Sequence, residues 1–217
     1  MTTASRTRRR IDRRTRAARA EGRDGRAALL EAAMAVFAER GFRDAAVDEI
    51  AARAGYSKGA IYFHFSGKED LFFALLEERV DRPLYAALEL LATGPPEHDM
   101  SVEASRRFGE LFRDQRELLL LDQEYRSLAV RDSRLRVRYA ERQRRLRSAF
   151  GAAVAARAEH LGAPPVDNPD EAAGALLALV SGLFQEKLID PSWVSDGLLG
   201  DMFALIYAGH VARVAAA

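Results

Sequence analysis

The chain has 217 residues, enough for one large or two small domains, and its 48% apolar and 30% charged content is that of a soluble globular protein. It contains no cysteine, which excludes disulfides and thiolate metal sites and suits a reducing compartment. Net charge is only +1, and His64, His98, His160 and His210 lie too far apart to suggest a metal-ligand set, so neither metal nor cofactor is expected.

The charge is unevenly spread. Residues 1–26 hold ten arginines against three acids and almost no large apolar side chain. Such a block cannot bury enough surface to fold alone, and residues 1–25 are expected to form a flexible arm. It reads either as a polyanion-binding arm or as a solvated tail. It has no apolar stretch of the kind a secretory signal needs, and no run of about 18 apolar residues follows it. A cytosolic protein without a membrane span is the expectation.

After the arm, Ala28, Leu29, Ala32, Ala33, Val36 and Phe37 recur at helical spacing, and Gly41 closes that helix. A short helix is predicted at about 47–54, with Val47, Ile50, Ala51 and Ala54 on one face and Gly55 in the left-handed position that ends it. Ser57 is placed to cap a third short helix running to about Phe63. After Ser66-Gly67, a single longer helix is predicted from Lys68 to about Thr93.

Residues 46–65, AVDEIAARAGYSKGAIYFHF, therefore have the proportions of a helix-turn-helix, whose second helix enters the DNA major groove with its N-terminal residues at the base edges. That role explains the small residues Gly59 and Ala60, which let the backbone approach closely. Lys58 can donate to guanine O6 or N7, and Ala60 can offer a methyl contact to thymine. Tyr62 lies four residues from Lys58 and shares its face. A phenol or imidazole at the helix end suits phosphate contact. Ile61, Phe63 and Phe65 are assigned to the core.

The rest of the chain is predicted to be a second all-helical domain. The GPPEH segment at 94–98 is a breaker, followed by helices at about 100–114, 115–130 and 132–161. The long third one carries Leu135, Tyr139, Leu146 and Phe150 as its stripe and arginines on its outer faces. Two helices, at about 169–189 and 194–213, close the chain. Both are apolar on more than one face, so each needs cover on several sides. A two-fold partner is the expected cover, through Leu176, Leu179, Val180, Leu183, Leu199, Phe203 and Ile206. A central hairpin in a monomer is the alternative.

The segments ALLEAAMAVFAERGF, VDEIAARAGYSKGAIYFHF and GKEDLF resemble the DNA-binding domain of the TetR family of bacterial transcriptional regulators. The resemblance spans about residues 27–73. It implies an all-α protein of about nine helices: a three-helix head at 26–73 and a ligand-binding and dimerisation domain at 74–217. By matching position, Ser57, Lys58, Gly59 and Ala60 would sit at the groove, with Tyr62, His64 and Lys68 on phosphates. The family's usual threonine or serine cap before the valine is Ala46 here, and its frequent serine before Lys68 is Gly67.

The implied function is a cytoplasmic, nucleoid-associated, homodimeric repressor released from a palindromic double-stranded operator by a small-molecule effector. Phe108, Phe112, Tyr125, Leu128, Phe150 and Leu179 are the candidate effector pocket; all lie on apolar faces, for which ordinary core is the first reading. A nucleoid-type binder without sequence preference and a helical small-molecule enzyme are the competing classes. No nucleophile–base pair or phosphate-binding glycine loop supports the enzyme.

Overall fold

The computed structural model describes residues 25–95, 100–195, 197–202 and 204–206. The expected arm, apart from Gly25, and the expected helix beyond residue 206 lie outside the described residues, as do the side chains of Ala60 and Phe203. Among the described residues there is no strand. The chain divides into two compact units, residues 1–76 and 77–217.

In the first unit α1 occupies residues 25–44, and Gly41 takes a positive φ of 72° where the sequence places the helix end. Helices α2 (Val47–Arg53), α3 (Lys58–His64) and α4 (Lys68–Leu76) follow. Their shared core is Leu29, Leu30, Ala33, Val36 and Phe37 from α1, Ile50 and Ala51 from α2, Ile61 from α3, and Leu71, Phe72, Leu75 and Leu76 from α4. Phe37, Phe42 and Phe72 meet edge-on or tilted, with ring centres 5.3–6.2 Å apart. Such a packed aromatic group fixes the angle between α1 and α4 more tightly than aliphatic contacts alone.

The second unit begins with a π-helical turn, Glu77–Asp81, which runs into α5 (Arg82–Thr93). The sequence predicts one uninterrupted helix from Lys68 to Thr93. Pro83 is the physical reason for the difference. It has no N–H for the carbonyl four residues back and its ring crowds that carbonyl, so the turn before it is where an extra residue is accommodated.

Helices α6 (Met100–Asp114), α7 (Arg116–Arg131), α8 (Ser133–His160) and α9 (Pro169–Ile189) lie within a residue or two of their predicted bounds. The N-caps of α8 and α9 are Asp132 and Asn168, whose side chains accept from the Arg134 and Glu171 backbone N–H groups. Helical residues resume at 198–202 and 204–206.

The main core of this unit joins Leu84 and Leu88 of α5, Phe108 of α6, Leu146, Phe150 and Ala153 of α8, Ala173, Leu176 and Val180 of α9, and Leu199. Gly151 lets α8 and α9 approach: a Cβ there would stand 2.6 Å from Asp170 Oδ1 and 2.9 Å from the Pro169 carbonyl. Three predicted interface residues, Leu176, Val180 and Leu199, thus belong to the chain's own core. An apolar helix turns one face inward whatever covers the other, and α9 turns these inward.

Two arginines assigned to outer faces of α8 are buried. Arg157 donates to the Gly94 and Pro95 carbonyls at the end of α5, and Arg142 lies inside a charge cluster. Another expectation changes with α9. It is 21 residues long, with an 18-residue window of mean hydropathy 1.4, so by length and composition alone it could cross a membrane. It packs along α8 and buries Ala173, Leu176, Val180 and Phe184, while much of the rest of its surface stays exposed.

Candidate nucleic-acid interface

The turn between α2 and α3 is built by backbone bonds. Gly55 adopts φ 75°, its N–H reaches the Ala52 carbonyl at 3.1 Å, and the Tyr56 N–H reaches the Ala51 carbonyl at 2.9 Å. This paired closure needs a left-handed residue after the last helical one, which glycine adopts without strain. It fixes the direction in which α3 departs.

At the other end of α2, Ala46 has the extended backbone of a capping residue (φ −106°, ψ 137°) but no side-chain cap. Asp48 and Glu49 in the first turn supply the negative charge that a helix N-terminus favours. Ser57 likewise stands at the cap position of α3 and makes no side-chain cap bond, which corrects the expected use of its hydroxyl.

Helix α3 is only two turns long, so one face must hold it. Ile61 and Phe65, four residues apart, are buried; together they bring about 3–6 kcal/mol of apolar burial. Phe63 is 83% exposed, against its assignment to the core. At 100° per residue it points about 200° away from Ile61, and the packed face cannot include both.

Ser57, Lys58, Gly59, Tyr62 and Phe63 are all exposed. Lys58 Nζ lies 2.9 Å from Asp48 Oδ1, tying the start of α3 to α2, and that hydrogen bond raises the lysine pKa. The pair is fully at the surface and so is readily exchanged for another anion.

Gly59 has no internal steric reason to be glycine. Among the described residues, a Cβ there would meet only Ser57 Oγ, at an ordinary 3.7 Å. Glycine in a helix costs about 1 kcal/mol relative to alanine. Its absence of bulk leaves clear space on the exposed side.

His64 is half-buried. Its ring stands edge-on to Phe63 at 4.9 Å, and its Nε2 borders Gly25 at the start of α1, beside the Tyr56 hydroxyl. Arg26 lies over the Phe65 ring at 5.3 Å. The chain therefore enters α1 next to the C-terminal end of α3.

Lys68 has an internal role that sequence reasoning did not anticipate. Its Nζ donates to the carbonyls of Arg43 (2.6 Å) and Ala45 (3.1 Å) and sits 5.1 Å over the Phe42 ring. This accounts for a cation in the first turn of α4, where the helix dipole disfavours one.

The arrangement is a helix-turn-helix with a small, polar, aromatic-edged outer face, and the comparisons agree with it. Residues 29–75 match the family described as "Bacterial regulatory proteins, tetR family", and residues 103–200 match "BetI-type transcriptional repressor, C-terminal". The regulator TtgR of Pseudomonas putida is 30% identical over 191 residues, which span 84% of this chain and 88% of TtgR. The chain belongs to the tetR family.

Other relatives match over shorter stretches. The transcriptional activator FasR of Mycolicibacterium smegmatis is 46% identical over 68 residues, only 31% of either protein. In structure, the chain is similar to SmeT in a complex with triclosan, with TM-score 0.58 and 25% identity over 82% of this chain and 88% of that one. SmeT is described as the repressor of the Stenotrophomonas maltophilia multidrug efflux pump SmeDEF.

The candidate effector pocket is only partly assembled. Phe108 and Phe150 lie in the main core and Phe112 packs against it, 4.8 Å from Phe184. Tyr125 packs instead against Tyr139, with ring centres 5.7 Å apart, and Leu128 and Leu179 are half-buried outside that core.

Proposed function

We propose that this tetR-family protein is a cytoplasmic homodimeric repressor that binds a palindromic double-stranded operator through α3 and is released by a small molecule held in the second unit. Gly59 carries the reading. A glycine on the exposed face of a two-turn helix, with no internal contact to avoid, is explained by a partner surface that must come close. Ser57, Lys58, Gly59 and Ala60 would face base edges. Tyr62 and His64 would reach phosphates, and Lys68 would do so only by releasing the two carbonyls it now holds.

The aromatic group Phe108, Phe112, Phe150 and Phe184 suits an apolar effector, in keeping with the triclosan bound by SmeT. The effector must prefer the conformation that fits DNA poorly, since equal affinity for both would shift nothing. Dimerisation would use the uncovered face of α9, where Ala175, Ala178, Gly182 and Gln185 are exposed and Leu179 and Leu183 half-exposed, together with Ile206.

Selection of bound sequences from random duplex oligonucleotides tests the reading. An inverted repeat is expected. Recovery of sequences without a consensus would replace it with non-specific binding.

A further inference from the structure

The arginines of α8 fall into two sets. Arg142, on the inner side, is 4% exposed and spends its guanidinium on Asp81 through Nη2 at 2.6 Å and on Asp122 of α7 through Nη1 at 3.2 Å. Asp122 also accepts from the Tyr139 hydroxyl at 3.1 Å, so that group is balanced from within. The other set faces out. Arg131 at the end of α7 and Arg134, Arg136, Arg144 and Arg145 of α8 are exposed, and Glu141 is the one exposed acid within residues 131–145. Neither the groove-facing helix nor the apolar core accounts for this face.

Its charges are left differently from those elsewhere in the unit. On α6, Glu103 holds Arg106 at 2.7 Å and Arg107 at 2.5 Å, and Glu110 also holds Arg106. Acids three and four residues away thus neutralise that surface within its own helix. On α8, Arg134 meets Asp132 and Arg145 meets Glu141, both at 3.2 Å and at the surface, where such pairs exchange readily for another anion. Arg131, Arg136 and Arg144 have no acidic partner among the described residues. Counter-charge is therefore provided for only two of the five.

We propose that this outer face of α8 takes the phosphate backbone of a second duplex segment, so that the protein tethers DNA beyond the stretch held by its helix-turn-helix. The inference goes beyond the operator reading and shares with it only the identity of the polymer. A protein partner is held by a few large anchors seated in pockets, and among residues 130–148 the exposed large apolar side chains are two valines, Val130 and Val137. Phosphate needs no such anchor. Each one neutralised releases counterions, and one guanidinium meets two phosphate oxygens at once. From Arg134 to Arg145 the helix extends about 16 Å, the length of about five base pairs.

The test immobilises one duplex, saturates it with the full chain and measures capture of a labelled second duplex of unrelated sequence across a salt series. The first duplex carries the selected inverted repeat, or an unrelated sequence if none is recovered, so failure of the operator reading leaves this measurement standing. Wild type is compared with the triple variant Arg131→Gln, Arg136→Gln, Arg144→Gln and with Arg106→Gln on α6 as a control. All keep the basic arm, so a difference between them belongs to α8. Wild type and Arg106→Gln should capture the second duplex. The triple variant should keep its circular dichroism and the first duplex, while its slope of log second-duplex affinity against log salt falls by about 2.7, at about 0.9 per contact. Arg144→Gln alone, with a fall of about 0.9, replaces it if the triple variant does not fold. Capture with the wild-type slope by the variant, or no capture by wild type, overturns the inference. So does a folded variant that no longer holds the first duplex, because its arginines would then serve that duplex. Displacement of the second duplex by polyglutamate at a lower charge concentration than by free duplex overturns it too and assigns the face to an acidic polypeptide.

Discussion

Ile61 and Phe63 are two residues apart in one short helix and have opposite surroundings, so the same kind of substitution should have opposite consequences. Truncating Ile61 to alanine empties a fully buried site and should cost about 2–5 kcal/mol in urea denaturation. Phe63→Ala should change stability by less than about 0.5 kcal/mol, while retention of a selected operator falls. Apolar composition made both legible as large hydrophobes, but in a seven-residue helix it cannot give the phase, and only the phase separates them. Arg142 and Arg157 were misread for a related reason: nothing local distinguishes them from the solvated arginines of α8, because their partners, Asp81 and Gly94, lie some sixty residues away. Tyr139 gives a pH-dependent check on that buried group. Burial first, and then the nearby Asp122 carboxylate, pushes its phenol up to about 12. A raised folded-state pKa means its contribution is complete below the ordinary tyrosine value near 10 and is lost as pH climbs toward 12. Thermal melts from pH 9 to 12 should fall across that window, and Tyr139→Phe should flatten the fall. An equal fall in both proteins would place the alkaline sensitivity elsewhere.

At the scale of elements, the helices whose ends are marked by glycine, proline or a capping residue were readable almost to the residue. The π-helical turn was not, since Pro83 signals a disturbance but not whether the helix stops, kinks or widens. Ala46 is the clearest element-level defect. Its backbone already has the extended geometry that a capping threonine adopts, so Ala46→Thr adds a hydroxyl acceptor without rearrangement. The substitution should stabilise the first unit by about 1 kcal/mol, seen as a higher denaturation midpoint. No gain would show that Asp48 and Glu49 already satisfy that helix end. The α8–α9 pair offers the reverse case. Gly151→Ala drives a methyl group into the Pro169 carbonyl and the Asp170 carboxylate and should lower the midpoint. Gly182→Ala meets no atom of the described residues within 4 Å and should be tolerated in the isolated fold.

For the whole molecule, Gly182 matters because it lies on the face of α9 that the described residues leave exposed. A bulky charge there, Gly182→Glu, should leave helical content unchanged and shift sedimentation from dimer to monomer; a dimer that persists would move the interface off this face. Operator affinity should drop with it, since two heads on one duplex bind with the advantage of linkage. The basic arm makes a prediction of the same reach. Gly25 lies beside Tyr56 and His64, and Arg26 lies over Phe65, so α1 begins beside the end of α3. A helix start next to the side chains proposed to meet phosphate suits the polyanion-binding reading of the arm over the solvated tail. Each phosphate neutralised releases counterions and adds about 0.9 to the slope of log affinity against log salt. Deleting residues 1–22 removes eight arginines. If half of them meet the backbone in each protomer of the dimer, the slope should fall by about 7, with affinity lost alike on operator and unrelated duplex. Titrations from 50 to 200 mM salt, on both duplexes, read the two effects together. An unchanged slope would return the arm to the role of a solvated tail.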